Sequence, residues 1–268
     1  MKRILTVQDL SCLGKCSLTV AMPTLSVMGC ECTVLPTTLL STHTAFPKPH
    51  IRSLTCDMDP IVAHWQTTDV RFDGISVGYL ADPAQTAAVE RVLDAFPVPT
   101  VIDPVMGDHG KLYSAITDAH VDAMKALCRR GTVILPNVTE AAFLTGLPYR
   151  EAGDEAYYKE LLSAMQKFGA DSVIITGISH APGKTGIMGF SKATGFFSYE
   201  ADRINRSCHG TGDLFAAVFT GAWVKGKTIP EAAVLAAKFV EQVIAATPEA
   251  TPFGIHFEEK LPWLWEHL

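Results

Sequence analysis

Short runs of aliphatic and β-branched residues alternate along this chain with longer segments whose apolar positions recur three and four residues apart. The short runs are Ile4–Gln8, Glu31–Pro36, Ile75–Val77, Val101–Ile102, Val133–Leu135 and Val173–Thr176. Near-continuous apolar strands of this kind are buried on both faces, as in a parallel sheet. Between them Gly14–Met28, Pro83–Ala95, Asp118–Arg130, Thr139–Leu144 and Glu155–Phe168 read as helices, the first with a bend predicted at Pro23. The alternation predicts an α/β fold, a central and mostly parallel sheet with helices on both faces. After Thr176 the pattern changes. Thr185–Ser191 and Thr194–Tyr199 flank Lys192-Ala193 and predict a hairpin at a sheet edge. Asp213–Lys225 and Pro230–Ala246 then read as helices, the first ended by Gly226-Lys227. No repeat, low-complexity tract or long linker divides the sequence, so residues 1–268 are expected to form one domain.

In such sheets ligands gather beyond the carboxyl ends of the strands. Asp9, Gly78-Tyr79, Asp103, Asn137 and Thr176 all fall at those ends, and parallel topology predicts that they share one rim. His209-Gly210-Thr211-Gly212-Asp213 runs straight into the apolar segment Leu214–Phe219. Glycine lets successive N–H groups face one cavity, and a helix start adds unpaired donors and the positive end of the dipole. An anion held there would lie beside Asp213, which could take a proton from an attacking hydroxyl. Glycine and aspartate are also ordinary turn and cap residues, so the pentapeptide alone leaves both readings open.

Other segments carry the same ambiguity. Asp103-Pro104-Val105-Met106-Gly107-Asp108 supplies two carboxylates that could hold Mg²⁺, or a simple strand-ending turn. In Pro136-Asn137-Val138-Thr139-Glu140, Asn137 and Glu140 have the spacing of a capping box and also offer oxygen ligands to a hydrated Mg²⁺. Thr37–Thr44 places hydroxyls and His43 where they could bond a polar ring. Gly183-Lys184-Thr185 looks like the end of a phosphate-binding P-loop, but five residues rather than four separate Gly177 from Gly183, and a strand follows, so that reading is rejected.

Composition narrows the classes. With 48% hydrophobic and 19% charged residues, the 268-residue chain is expected to be compact and folded. A net charge of −6 argues against nucleic acid or an acidic membrane as partner. No apolar stretch approaches a membrane span, and the start of the chain does not read as a secretory leader. The seven cysteines cannot all pair within one chain, which points to the reducing cytoplasm. The spacings Cys12/Cys16 and Cys30/Cys32 match no standard zinc site.

Taken in order, Val7-Gln8-Asp9, Ser41-Thr42-His43-Thr44, Gly78-Tyr79-Leu80, the Asp103–Asp108 segment, Pro136–Glu140 and Gly210–Ala217 resemble the motifs of the pyridoxal/pyridoxamine kinases of the ribokinase-like superfamily. The resemblance covers about residues 4–246. It implies ATP-dependent phosphorylation of the 5′-hydroxymethyl group of a vitamin B6 compound. It also implies Asp213 as base, Gly210, Thr211 and Gly212 as the anion hole, and Asp103, Asp108 and Glu140 around Mg²⁺ with Asn137 nearby. By the same resemblance Leu135 and Thr176 line the nucleotide path. His43, Thr44 and Tyr79 surround the pyridine ring, Asp108–Ser114 forms a flap, and the assembly is a homodimer. Related hydroxymethylpyrimidine kinases of the same fold are the nearest alternative, and a vitamer-binding protein without catalysis is another. The family usually has serine where this chain has Asp9. An anion there is expected to favour pyridoxamine, whose aminomethyl group is cationic, over pyridoxal. Cys208 is expected to pack rather than react.

Overall fold

A computed structural model describes residues 1–206, 208–249 and 251–268. In chain order its elements are β1 (Lys2–Ser11), α1 (Leu18–Val27), β2 (Cys30–Leu40), β3 (Ile51–Ser53), α2 (Thr55–Trp65), β4 (Gly74–Val77), α3 (Pro83–Ala95) and β5 (Thr100–Ile102). A small ribbon of β6 (Gly107–Asp108) and β7 (Lys111–Leu112) follows, then α4 (Asp118–Cys128), β8 (Val133–Ile134), α5 (Val138–Thr145) and α6 (Glu155–Gln166). The last elements are β9 (Ser172–Ile178), β10 (Lys184–Ser191), β11 (Gly195–Asp202), α7 (Thr211–Val224), α8 (Ile229–Ala246) and α9 (Leu261–Glu266).

The nine-stranded sheet has the order β11-β10-β9-β8-β5-β4-β1-β2-β3. Pairings from β9 through β2 are parallel, while β3 at one edge and the β10–β11 hairpin at the other are antiparallel. Side chains alternate across the strands as the two-residue period requires. Ile102, Ile134, Val173 and Ile175 enter the apolar layer beneath α2 to α6. Val101, Val133 and Ile174 enter the opposite layer, against Val20 of α1, Phe215 and Phe219 of α7 and Phe239 of α8. This is the two-sided α/β sheet with an edge hairpin that the sequence pattern predicts.

The differences have local causes. The helix expected from Gly14 begins only at Leu18, because Gly14 and Ser17 take positive φ and turn the chain first. Pro23 lies inside α1 without ending it. Helix α2 buries only Met58 and Val62, so its apolar stripe is too thin to read from sequence. All three residues of β3 are exposed, which removes the alternation signal altogether.

Candidate active site

Parallel strands deliver their carboxyl ends to one rim, and α7 points its N-terminus at it. Gly210, the residue before α7, has φ +90°, and an added Cβ would run into the Lys15 carbonyl. Gly254, with φ +98°, meets the same carbonyl from another loop. The first intrahelical bond of α7 runs from Leu214 N to Gly210 O at 3.0 Å. The amides of Thr211, Gly212 and Asp213 therefore remain to bind an anion. Asp103 borders this cradle: its Oδ2 lies 4.0 Å from where a Gly212 Cβ would sit.

Four carboxylates share the rim. Asp9 occurs at a register shift in the β1–β2 ladder, where Gln8 pairs with Pro36 but Leu10 with Leu39. Such a bulge re-aims a side chain. The buried Asp9 carboxylate accepts from the Ser17 hydroxyl and, at 3.2 Å, from the Ser11 hydroxyl. Burial pushes its pKa up to about 7, with the charge of Asp213 adding to the effect and the two hydroxyls opposing it. Burial likewise raises the half-buried Asp213, opposed by the Ser17 amide. Asp103 is raised well above the usual carboxylate range by burial and then by the charges of Glu140 and Asp213.

Glu140 shows the capping chemistry its spacing predicts. Its Oε2 accepts from Asn137 N at 2.8 Å, Asn137 Oδ1 accepts from Glu140 N at 2.9 Å, and Glu140 Oε1 accepts from Met106 N at 3.0 Å. Burial still pushes Glu140 up to about 8 despite those amides. The same helix start holds the β6–β7 ribbon, the expected flap. Asn137 Nδ2 donates to Gly107 O at 2.8 Å, and Gly110 N donates to Thr139 Oγ1 at 2.9 Å.

Among the described residues no three His, Cys, Asp or Glu side chains converge as a metal set. Glu140 lies close enough for its charge to raise Asp103, and Asp108, exposed on the ribbon beside His109, adds to the burial that raises Glu140. Two buried oxygen donors beside an anion cradle fit Mg²⁺, which keeps several waters and needs few protein ligands.

These raised carboxylates make a pH prediction. The folded chain holds protons that the unfolded chain releases, so stability falls as pH rises through the values near 7 for Asp9 and 8 for Glu140. Without metal, Tm is expected to be about 3 °C or more lower at about pH 8.5 than at about pH 6. Mg²⁺ is expected to raise Tm more at the higher pH. A calorimetric scan with Tm rising over that interval contradicts this electrostatic picture.

A cavity of about 330 Å³ opens beside the cradle, and Asp108, Asn137, Thr176 and Thr211 line it together with Lys184, Thr185, Arg203 and Arg206. Thr176 N donates to Pro136 O at 2.9 Å, which joins β9 to the start of α5 at this wall. Leu135 is buried in the apolar layer beneath. The cations of the cavity were not among the sequence candidates. Lys184 belongs to the rejected P-loop tripeptide and begins a strand, so the rejection holds while the residue still faces the cavity. Arg206 is fixed by the C-terminal carbonyls of α8, donating to Ala245 O at 3.0 Å and Ile244 O at 3.2 Å. A separate depression of about 430 Å³ between α2 and α3, lined by Asp59, Val62 and Arg91, shares nothing with this rim.

Asp9, near Asp213, in turn lies near the half-buried Tyr79, whose pKa is raised by burial and then by Asp9. His43 differs from its expected ring-bonding role. Its Nε2 lies 2.9 Å from Pro252 O, and Ala45 N donates to its Nδ1 at 3.3 Å. Both nitrogens are thus engaged within the protein, with the proton on Nε2, and burial lowers the pKa. The ring packs against Gly14 and lies 5.0 Å from the His209 ring, so it shapes a wall between the cradle and the 252 loop. Thr44 is exposed beyond it. Cys208 is half-buried with its thiol pKa raised by burial, and all seven cysteines are unpaired. No helix among the described residues is long and apolar enough to cross a membrane.

The phosphomethylpyrimidine kinase family profile matches residues 22–256. The chain belongs to that family. Its fold is the ribokinase-like one, with the antiparallel hairpin at one sheet edge. A Bacillus subtilis hydroxymethylpyrimidine/phosphomethylpyrimidine kinase is 34% identical over 183 residues, 67% of this chain and 66% of that enzyme. A Bordetella pertussis pyridoxine/pyridoxal/pyridoxamine kinase is 28% identical over 263 residues, 92% of this chain and 90% of that one. A Bacteroides thetaiotaomicron structure described as a phosphomethylpyrimidine kinase and solved with pyridoxal superposes with a TM-score of 0.93. It is 35% identical, and the match covers 98% of this chain and 95% of that one.

Proposed function

We propose that this chain transfers a phosphoryl group from ATP to the 5′-hydroxymethyl group of a vitamin B6 compound. The observation that carries the reading is the position of Asp213. It stands in the first turn of α7 with the amide cradle, two residues after Thr211, which lines the cation-lined cavity, and near enough to Asp9 for its charge to raise the Asp9 pKa. The relative solved with pyridoxal supports a pyridine acceptor.

Phosphoryl transfer requires alignment and charge neutralisation rather than covalent participation of the protein. Lys184, Arg203 and Arg206 attract the nucleotide phosphates, with Thr176 at the wall. The amides of Thr211, Gly212 and Asp213 hold the group in transfer, where fixed dipoles are most effective. Asp213 accepts the proton of the acceptor hydroxyl. Its raised pKa suits that task, because a base titrating nearer the working pH takes a proton more readily. Mg²⁺, when bound, neutralises charge on the phosphate oxygens, and Asp103 and Glu140 would hold it, with Asp108 on the ribbon nearby. Asp9 meets the ring. A cationic aminomethyl or pyridinium group there favours the ionised form of Asp9 over the proton that burial invites. Pyridoxamine is accordingly the preferred acceptor. The enzyme is a single kinase domain that works as a cytoplasmic homodimer.

The 34% identity to the Bacillus subtilis enzyme favours a second reading, in which the acceptor is hydroxymethylpyrimidine. ADP release measured separately with pyridoxamine, pyridoxal, pyridoxine and hydroxymethylpyrimidine separates the two. The expected result is kcat/KM highest for pyridoxamine and at least about tenfold lower for the pyrimidine, a gap of about 1.4 kcal/mol. Selective activity on the pyrimidine establishes the second reading. Binding of vitamers without ADP release from any acceptor identifies a non-catalytic binder.

A further inference from the structure

Between β1 and α1 the chain reverses through a four-residue turn, closed by donation from Thr19 N to Cys16 O at 3.2 Å. Its first central residue, Ser17, has φ 50° and ψ −126°. That is the type II′ geometry, which glycine ordinarily fills because a Cβ is strained there. Ser17 is also 4% exposed, so its presence is not the accident of a solvated loop. The side chain gives the reason for tolerating the strain. The Ser17 hydroxyl donates to Asp9 Oδ1, and the Ser17 amide faces the Asp213 carboxylate. A single strained residue thus touches both the carboxylate that meets the acceptor ring and the one that takes its proton.

We infer that Ser17 is a positioning residue for the transfer, its hydroxyl fixing Asp9 and its turn-held amide aiming at Asp213 so that the two carboxylates keep one separation across the acceptor site. The inference rests on the reading above, in which Asp213 is the base. Glycine in the same turn would preserve the amide and relieve the backbone, but it would release Asp9. The remaining neighbours of Asp9 are the Ser11 hydroxyl on its own strand, the Cys16 thiol, Tyr79 beyond β4 and Asp213 on α7. None of these is a cation that could take over the hydroxyl's role.

The test compares Ser17→Gly and Ser17→Ala with wild type, full-length and with Mg²⁺ and ATP, by steady-state kinetics on pyridoxamine and by thermal melting. Ser17→Gly is expected to melt no lower than wild type while kcat falls about tenfold, KM for pyridoxamine rises, and KM for ATP stays within about twofold. Ser17→Ala keeps the strained Cβ and loses only the hydroxyl, so it is expected to show the same kinetic losses. The acid limb of kcat/KM is expected to move to higher pH in both variants, because the lost hydroxyl held the Asp9 pKa down. Wild-type kinetics in Ser17→Gly overturns the inference while leaving the proposed function intact. A kcat loss that tracks a lower Tm, or that raises KM for ATP equally, assigns Ser17 a merely structural role and also overturns it. A wild type inactive on every B6 compound removes the reading itself, and this inference with it.

Discussion

Replacing Asp213 with alanine is expected to lower kcat for a B6 compound by about 10³-fold, the order associated with a positioned base. The residue sits in the first turn of α7, where its own amide and those of Thr211 and Gly212 remain free for an anion. The substitution removes the carboxylate and leaves those three amides in place. The nucleotide cavity is lined by Lys184, Arg203, Thr176 and other residues that do not include Asp213. The Kd for ATP should therefore change by less than about threefold, since transfer rather than ground-state binding has lost its partner. Stability is expected to hold or rise. Asp213 adds a charge to a site where Asp9 and Asp103 are already raised by it, and removing that charge relieves both. Near-normal turnover in the alanine variant, measured by single-turnover chemistry, would exclude Asp213 as the base.

Replacing Gly210 with alanine is expected to cost both fold and function. The residue has φ +90°, which a side chain tolerates poorly, and its Cβ would collide with the Lys15 carbonyl. That carbonyl cannot yield freely. Lys15 N donates to Phe253 O at 2.7 Å, Ile255 N to His209 O at 3.1 Å, and Gly254 approaches the same Lys15 oxygen to 2.7 Å of an added Cβ. Three segments that build the cradle are therefore locked on this one glycine. The expected result is a loss of about 2 kcal/mol or more of stability and at least about 10²-fold in kcat. Gly226, which follows α7 at φ +110° with open space around its Cβ, is the control. Alanine there should lower Tm modestly and leave kcat unchanged. Equal kinetics for the two variants would show that the cradle does not depend on the Gly210 geometry.

What the sequence made legible was whatever depended on period and local chemistry. The apolar runs around Val101, Val133 and Val173 are strands because each is buried on both faces, and their register places Ile102 and Val101 in opposite layers. Asn137 and Glu140 form the capping box that their three-residue spacing announces. The rim from Asp9 to Thr176 follows from parallel topology alone. What stayed hidden depended on tertiary approach. Lys184 at the start of β10 and Arg203 just past the end of β11 meet at the open end of the hairpin, where Arg203 N donates to Gly183 O at 2.8 Å, and no local sequence motif joins them. The bulge that turns Asp9 arises from its pairing with β2, not from its own neighbours. His43 reads as a ring donor in isolation, yet a carbonyl 209 residues away takes its Nε2. Ser17 looks like an ordinary helix-start serine until its φ of 50° is known.

The most direct test of the central claim is product analysis by mass spectrometry after one reaction of the purified chain with Mg²⁺, ATP and equal amounts of pyridoxamine, pyridoxal and hydroxymethylpyrimidine. The account predicts a B6 compound carrying one added phosphoryl group on its 5′ oxygen, pyridoxamine first, with no such product from Asp213→Ala. Phosphorylated pyrimidine alone, or the same 5′-phosphate formed at a normal rate by Asp213→Ala, would contradict it.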